Sequence, residues 1–254
     1  MRGPRAVALG HGGQPPEGGQ PPEGAGPPPW RQAGAWAADY AFAARGLARA
    51  GAGWLRRSRP DAFRVAEGPG TPVLLLPGIY ESWRFLEPLA AHLHAGGHPV
   101  HVVSALGLNS AEVLDGAARA ARYLHEAGPG DVVVVAHSKG GLVGKALMLR
   151  EERVRGMVAV ATPWAGSSYA ALFPPWSPVR RLAPRSAGLL ALARDRAVDD
   201  RIIAIVPAWD PHIPSGSRLP GARRNVEVAA SGHFRVLADP EVLAEVDRAV
   251  AELA

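Results

Sequence analysis

The chain has no cysteine. That excludes a disulfide scaffold, a thiolate nucleophile, a zinc–thiolate site and an iron–sulfur cluster. Lysine is nearly absent too: of 28 basic residues only Lys139 and Lys145 are lysines. The net charge of +5 rests on arginines, in a chain also rich in Ala, Gly and Pro. The runs Arg56-Arg57-Ser58-Arg59, Arg180-Arg181 and Arg223-Arg224 are short and scattered. They read as solvated faces rather than a groove for phosphates, so no nucleic-acid partner is expected. No window holds about 18 uninterrupted apolar residues, so no membrane-spanning helix is predicted. The start of the chain has only the short apolar run Ala6-Val7-Ala8-Leu9. A secretory signal needs a longer one, so the expected location is cytoplasmic. There is no P-loop and no dinucleotide-binding glycine pattern.

What is present is enough for a sizeable core. The 254 residues are 47% hydrophobic and 20% charged, which suits one larger domain with a tail. Residues 1–29 are mostly Gly, Pro, Gln and Glu, with a near-repeat of six residues at 13–18 and 19–24. Such a tail has nothing to bury and is expected to be disordered. Residues 30–62 form an amphipathic helical segment. Trp36, Tyr40, Ala43, Leu47, Ala50 and Trp54 recur at spacings of four and three, which lines one helical face over 33–57. Asp39, Arg45 and Arg49 interrupt any spanning interpretation, and Gly46, Gly51 and Gly53 weaken the helix. Two readings stay open for that face: packing against the main domain, or peripheral membrane contact with tryptophan anchors.

Residues 63–254 alternate between short β-branched runs and helical stretches. The runs are 73–76, 100–103, 132–135, 157–160, 202–206 and 226–229. Helices are expected at about 82–95, 110–127, 139–151 and 239–253, with an irregular insert at about 164–200 that holds a further helix near 187–196. This order predicts an α/β fold, a mostly parallel central sheet with helices on both faces. In such sheets ligands bind beyond the carboxyl ends of the strands.

After the run 132–135 comes Ala136-His137-Ser138-Lys139-Gly140-Gly141. A serine between a valine strand and a helix, with small residues two before and two after, sits on a sharp strained turn. Its hydroxyl then projects above the sheet edge, where the helix dipole favours a developing negative charge.

These residues resemble the α/β-hydrolase superfamily, and within it the bacterial triacylglycerol lipase and esterase group. The resemblance covers residues 70–252. It rests on Pro77-Gly78-Ile79-Tyr80, the Ser138 turn, Ala161-Thr162-Pro163-Trp164-Ala165-Gly166-Ser167, and the pair Asp210 and His233. The family usually has Gly where this chain has Ala136, and often His where it has Trp164. The resemblance implies a Ser138 nucleophile, a His233 base and an Asp210 acid, in the family's order Ser, acid, His. It implies backbone amides of Ile79 and Lys139 as the oxyanion donors. His212 is the rival base, and Asp199 and Asp200 precede their strand at its wrong end.

The aromatic insert is expected to act as a cap and to favour an apolar substrate, and the helix at 33–57 is a candidate to lean on the same opening. Tyr80, Trp164, Phe173 and Trp176 are the candidate pocket residues, with plain core packing an equal reading of Trp164. The implied activity is cleavage of a small-molecule or lipid carboxylic ester through an acyl-enzyme, without metal or organic cofactor. Acyl transfer with the same three residues, and a catalytically silent binding protein, are the alternatives.

Overall fold

The computed structural model describes residues 29–55, 59–66 and 68–254. The expected tail at 1–29, Pro29 apart, lies outside the described residues, as does the side chain of Trp54. Six strands form one sheet: β1 Val73–Leu76, β2 Val100–Val102, β3 Val132–His137, β4 Val154–Val160, β5 Ile202–Trp209 and β6 Arg224–Ser231. Their order is β2-β1-β3-β4-β5-β6 and every pair is parallel. The β-branched runs form strands because both faces are covered. Leu74, Leu76, Val132, Val134 and Ala136 enter one core, and Val73, Leu75, Val133 and Val135 the other.

Six α-helices are described: α1 Pro29–Leu55, α2 Glu87–Ala95, α3 Val113–Ala127, α4 Lys139–Met148, α5 Ala187–Arg194 and α6 Pro240–Leu253. Helices α3, α4 and α5 pack on the first face; α2 and α6 pack on the second, joined there by Phe42 of α1. Local chemistry sets the ends. Helix α3 stops at Gly128, whose φ of 61° gives the left-handed cap. Helix α6 starts with Pro240 in its first turn, and the Asp239 side chain accepts from Glu241 N. Four helices are shorter than the periodicity predicted: α2 begins at Glu87 rather than near 82, α3 begins at Val113 rather than near 110, α4 ends at Met148 rather than 151, and α5 ends at Arg194 rather than near 196.

Topology places the functional end. The chain moves outward from β1 to β2 and then returns past β1 to β3. The loops leaving β1 and β3 therefore diverge, and Leu76 pairs with Ala136 directly below them. A crevice at such a reversal is where open α/β sheets bind ligands.

Candidate active site

Three strand ends converge over this crevice. Ser138 follows β3 with φ 52° and ψ −124°, a strained conformation for a residue with a Cβ. The glycines after it explain how the turn is achieved. A Cβ on Gly140 would lie 2.2 Å from Leu76 O, and one on Gly141 would lie 2.1 Å from Thr162 Oγ1. Only glycine lets α4 start this close to the sheet. Asp210 directly follows β5, and His233 follows β6 by two residues; Trp209 and Ser231 are register partners at the ends of these adjacent strands.

The side chains form one continuous chain of contacts. Asp210 Oδ2 lies 2.7 Å from His233 Nδ1, and His233 Nε2 lies 2.9 Å from Ser138 Oγ. All three residues are buried. The other carboxylate oxygen, Asp210 Oδ1, accepts from the amides of His212 at 2.8 Å and Ile213 at 3.1 Å. A buried carboxylate with its oxygens so occupied has a fixed orientation. Asp210, His212 and His233 bring three potential metal-ligand atoms within 4.8 Å of one another. The Asp210 and His233 atoms are already committed to each other and to those amides, so the donor set reads as a hydrogen-bond chain.

The turn after β1 completes the crevice. Gly78 N donates to Glu81 Oε2 at 2.7 Å and Tyr80 N to Leu108 O at 2.7 Å. The Ile79 amide between them has no hydrogen-bond partner among the described residues. Lys139 N is the first amide of α4, a position with no acceptor inside its own helix.

No protein-family model matches the chain, and no curated protein matches it. Solved structures do. The mature lipase BlEst2 of Bacillus licheniformis is 14% identical with a TM-score of 0.59, over 75% of this chain and 96% of that one. Lipase B of Aspergillus fumigatus is 16% identical with a TM-score of 0.62, over 76% of this chain and 55% of that one. BpoC of Mycobacterium tuberculosis H37Rv, which carries a non-haem bromoperoxidase assignment, is 18% identical with a TM-score of 0.55, over 74% and 94%. This is the α/β-hydrolase fold. At such identities the likeness extends to the fold alone.

Within this hydrolase fold an apolar cavity of about 300 Å³ lies over Ser138. Ile79 and Tyr80 form one side and Phe173 and Leu182 of the insert another. Two of the expected pocket aromatics lie elsewhere. Trp164 borders a separate cavity with Leu142 and Lys145 and packs in the first core. The turn at Pro163 is the reason: Pro163 faces the Ser138 cavity, so its neighbour faces away. Trp176 is 83% exposed, on a turn closed by Ser177 N to Pro174 O at 2.9 Å. The Lys139 side chain is buried away from the cavity mouth. Its Nζ donates to Asn109 O at 2.6 Å and Ala111 O at 2.5 Å. Burial, with Arg181 adding to it, lowers its pKa to about 8. Asp199 is also engaged away from the site, 2.6 Å from Lys145 Nζ.

Other residues reach the site besides the expected catalytic and pocket residues. Tyr40, Ala43 and Leu47 of α1 form the third side of the cavity. Trp36 stacks on Tyr40 with ring centroids 5.5 Å apart, and Tyr40 Oη lies 3.2 Å from His212 Nε2. His212 itself sits 4.9 Å from the His233 ring. Burial and the neighbouring His233 lower its pKa to about 4. Below the site, His137 lies between Glu81 Oε2 at 2.9 Å and the backbone oxygen of His233 at 2.9 Å. Burial alone would lower the His137 pKa; the Glu81 carboxylate, aided by that backbone bond, raises it instead. The clue for α1 was the apolar stripe. For His137 and Glu81 there was no local signal, because they lie 56 positions apart and His137 meets His233 across 96.

Proposed function

We propose that this chain is a serine hydrolase that cleaves carboxylic esters with an apolar acyl portion. The observation that carries the reading is the unbroken Asp210–His233–Ser138 chain at 2.7 and 2.9 Å. It stands on a strained Ser138 turn at the topological reversal of the sheet. Asp210 accepts a hydrogen bond from His233 Nδ1–H, which keeps that proton on Nδ1 and leaves Nε2 free to take a proton from the Ser138 hydroxyl. As that proton moves, Oγ attacks the acyl carbon. The carbonyl oxygen becomes an oxyanion held by the Ile79 and Lys139 amides, each worth roughly 3 kcal/mol of transition-state stabilisation. His233 then returns its proton to the leaving alkoxide. A water, deprotonated by the same imidazole, adds to the acyl-enzyme. The intermediate collapses to the free acid and Ser138.

The walls over Ser138 are mainly apolar, which suits an acyl chain better than a sugar or a peptide. That two of the similar structures are lipases supports the same reading.

Labelling with a fluorophosphonate, followed by peptide mapping, tests the nucleophile without requiring the natural substrate. The expected result is one adduct, on Ser138, absent in Ser138→Ala and in His233→Ala. Ester turnover in Ser138→Ala should fall by at least about a thousandfold. An unlabelled wild-type protein with a normal unfolding transition, or an adduct on another serine, overturns the proposal.

A further inference from the structure

Among the described residues Asp39 is the most completely buried acid, at 0% exposure. It lies on α1, far from the other site residues in sequence. Its carboxylate accepts three consecutive backbone amides of the loop that carries His233. Oδ2 accepts from His233 N at 3.0 Å, and Oδ1 accepts from Phe234 N and Arg235 N, each at 2.9 Å. Burying a carboxylate costs several kcal/mol unless hydrogen bonds compensate it, and three amides of one turn supply that compensation. The loop is shaped for the contact. Gly232 has φ 112°, and a Cβ there would lie 2.6 Å from Asp39 Oδ1. The fit of α1 on the domain is close for a similar reason. A Cβ on Gly46 would lie 2.5 Å from the Phe85 ring, so the helix glycine that weakens α1 also lets it approach.

The His233 loop is thus held from two sides. His137 holds the His233 carbonyl from below, and Asp39 holds its amide from above. The imidazole between them must keep 2.9 Å to Ser138 Oγ. We infer that Asp39 is a positioning residue that sets the reach of His233 to Ser138, so that α1 is a working part of the active centre. The inference rests on the serine-hydrolase reading above. An apolar helix face can dock without a buried charge, and all three amide partners of this charge belong to the His233 loop.

The test uses the full chain in three variants: Asp39→Asn, Asp39→Ala and Phe42→Ala. Phe42 packs on Phe85, with ring centroids 6.5 Å apart, and its truncation removes packing while Asp39 keeps its three amides. The readouts are the rate of fluorophosphonate labelling, kcat and KM on a p-nitrophenyl ester, and the unfolding midpoint. Asparagine keeps one acceptor oxygen for two amides and turns a donor toward His233 N. Asp39→Asn should therefore lose about tenfold in kcat and labelling rate, and Asp39→Ala about a hundredfold, with KM within about threefold of wild type. Phe42→Ala should lower the unfolding midpoint at least as much as Asp39→Asn while kcat stays near wild type. Should Asp39→Ala not fold, Asp39→Asn against Phe42→Ala decides.

Wild-type kcat in Asp39→Asn, a loss carried by KM alone, or an equal kcat loss in Phe42→Ala overturns the inference. A wild-type protein that neither labels nor cleaves overturns the hydrolase reading first, and this inference with it.

Discussion

Lys139 holds an ammonium group where burial disfavours it, and this has a consequence for stability. Its pKa is about 8 in the folded protein, against 10.5 when free in solvent. Between those values the unfolded chain binds a proton that the folded chain has released. The contribution of Lys139 to folding stability therefore rises with pH across that window. Denaturant titrations of wild type and Lys139→Met at pH 7 and pH 10 should show the difference, wild type minus variant, increasing with pH. An unchanged difference would mean that the ammonium is better solvated than its buried setting implies. The two acids make a second contrast at this scale. Asp210→Asn should cut ester turnover by about 10⁴-fold through loss of the correct His233 tautomer, with little change in stability. Asp199→Asn leaves Lys145 uncompensated in the core and should cost about 3–5 kcal/mol of stability while the surviving folded enzyme keeps its rate. Turnover assays and chemical denaturation of both variants separate the roles. The sequence already placed Ser138, Asp210 and His233 at strand ends. It could not reveal that Asp39, noted only as a charge that interrupts a membrane-spanning interpretation, would meet the His233 loop.

At the scale of elements, the turn between β3 and α4 decides the site. The strand is followed by one residue with positive φ, Ser138, and the helix leaves it at once, so the helix axis must pass close to Leu76 and Thr162. Gly140→Ala would push a methyl group against a backbone oxygen that cannot yield. The expected cost is about 1–3 kcal/mol or more, together with a displaced Ser138 and a loss of fluorophosphonate labelling. A folded Gly140→Ala that labels at the wild-type rate would show that the turn has more room than the 2.2 Å approach allows. The pattern small-x-Ser-x-Gly was legible because close packing at a sharp turn demands specific residue types. The ends of α3 and α4 were less legible, since helix periodicity runs on past the point where tertiary contacts stop rewarding it.

Across the whole molecule, α1, the turn after β1 and the insert before β5 wall one cavity together with the loops that follow β3, β5 and β6. Phe173 lines that cavity and Trp176, three residues on, faces solvent. Phe173→Ala should raise KM several-fold for long-chain esters and less for short ones, whereas Trp176→Ser should leave both unchanged. KM measured over a graded series of p-nitrophenyl esters checks the pair, and equal effects of the two would mean that the insert moves over the site. What the amino-acid order alone determined is what repeats along the chain or depends on neighbours: the strand and helix alternation, the parallel sheet and the serine turn. These follow from periodicity and local backbone sterics. Tertiary structure decided which aromatic side chains face the cavity and which face away. It also decided that α1 lies against the domain with its buried acid on the His233 loop. Those contacts join residues up to 196 positions apart. They depend on how a turn rotates one side chain inward and its neighbour outward, which no local pattern encodes.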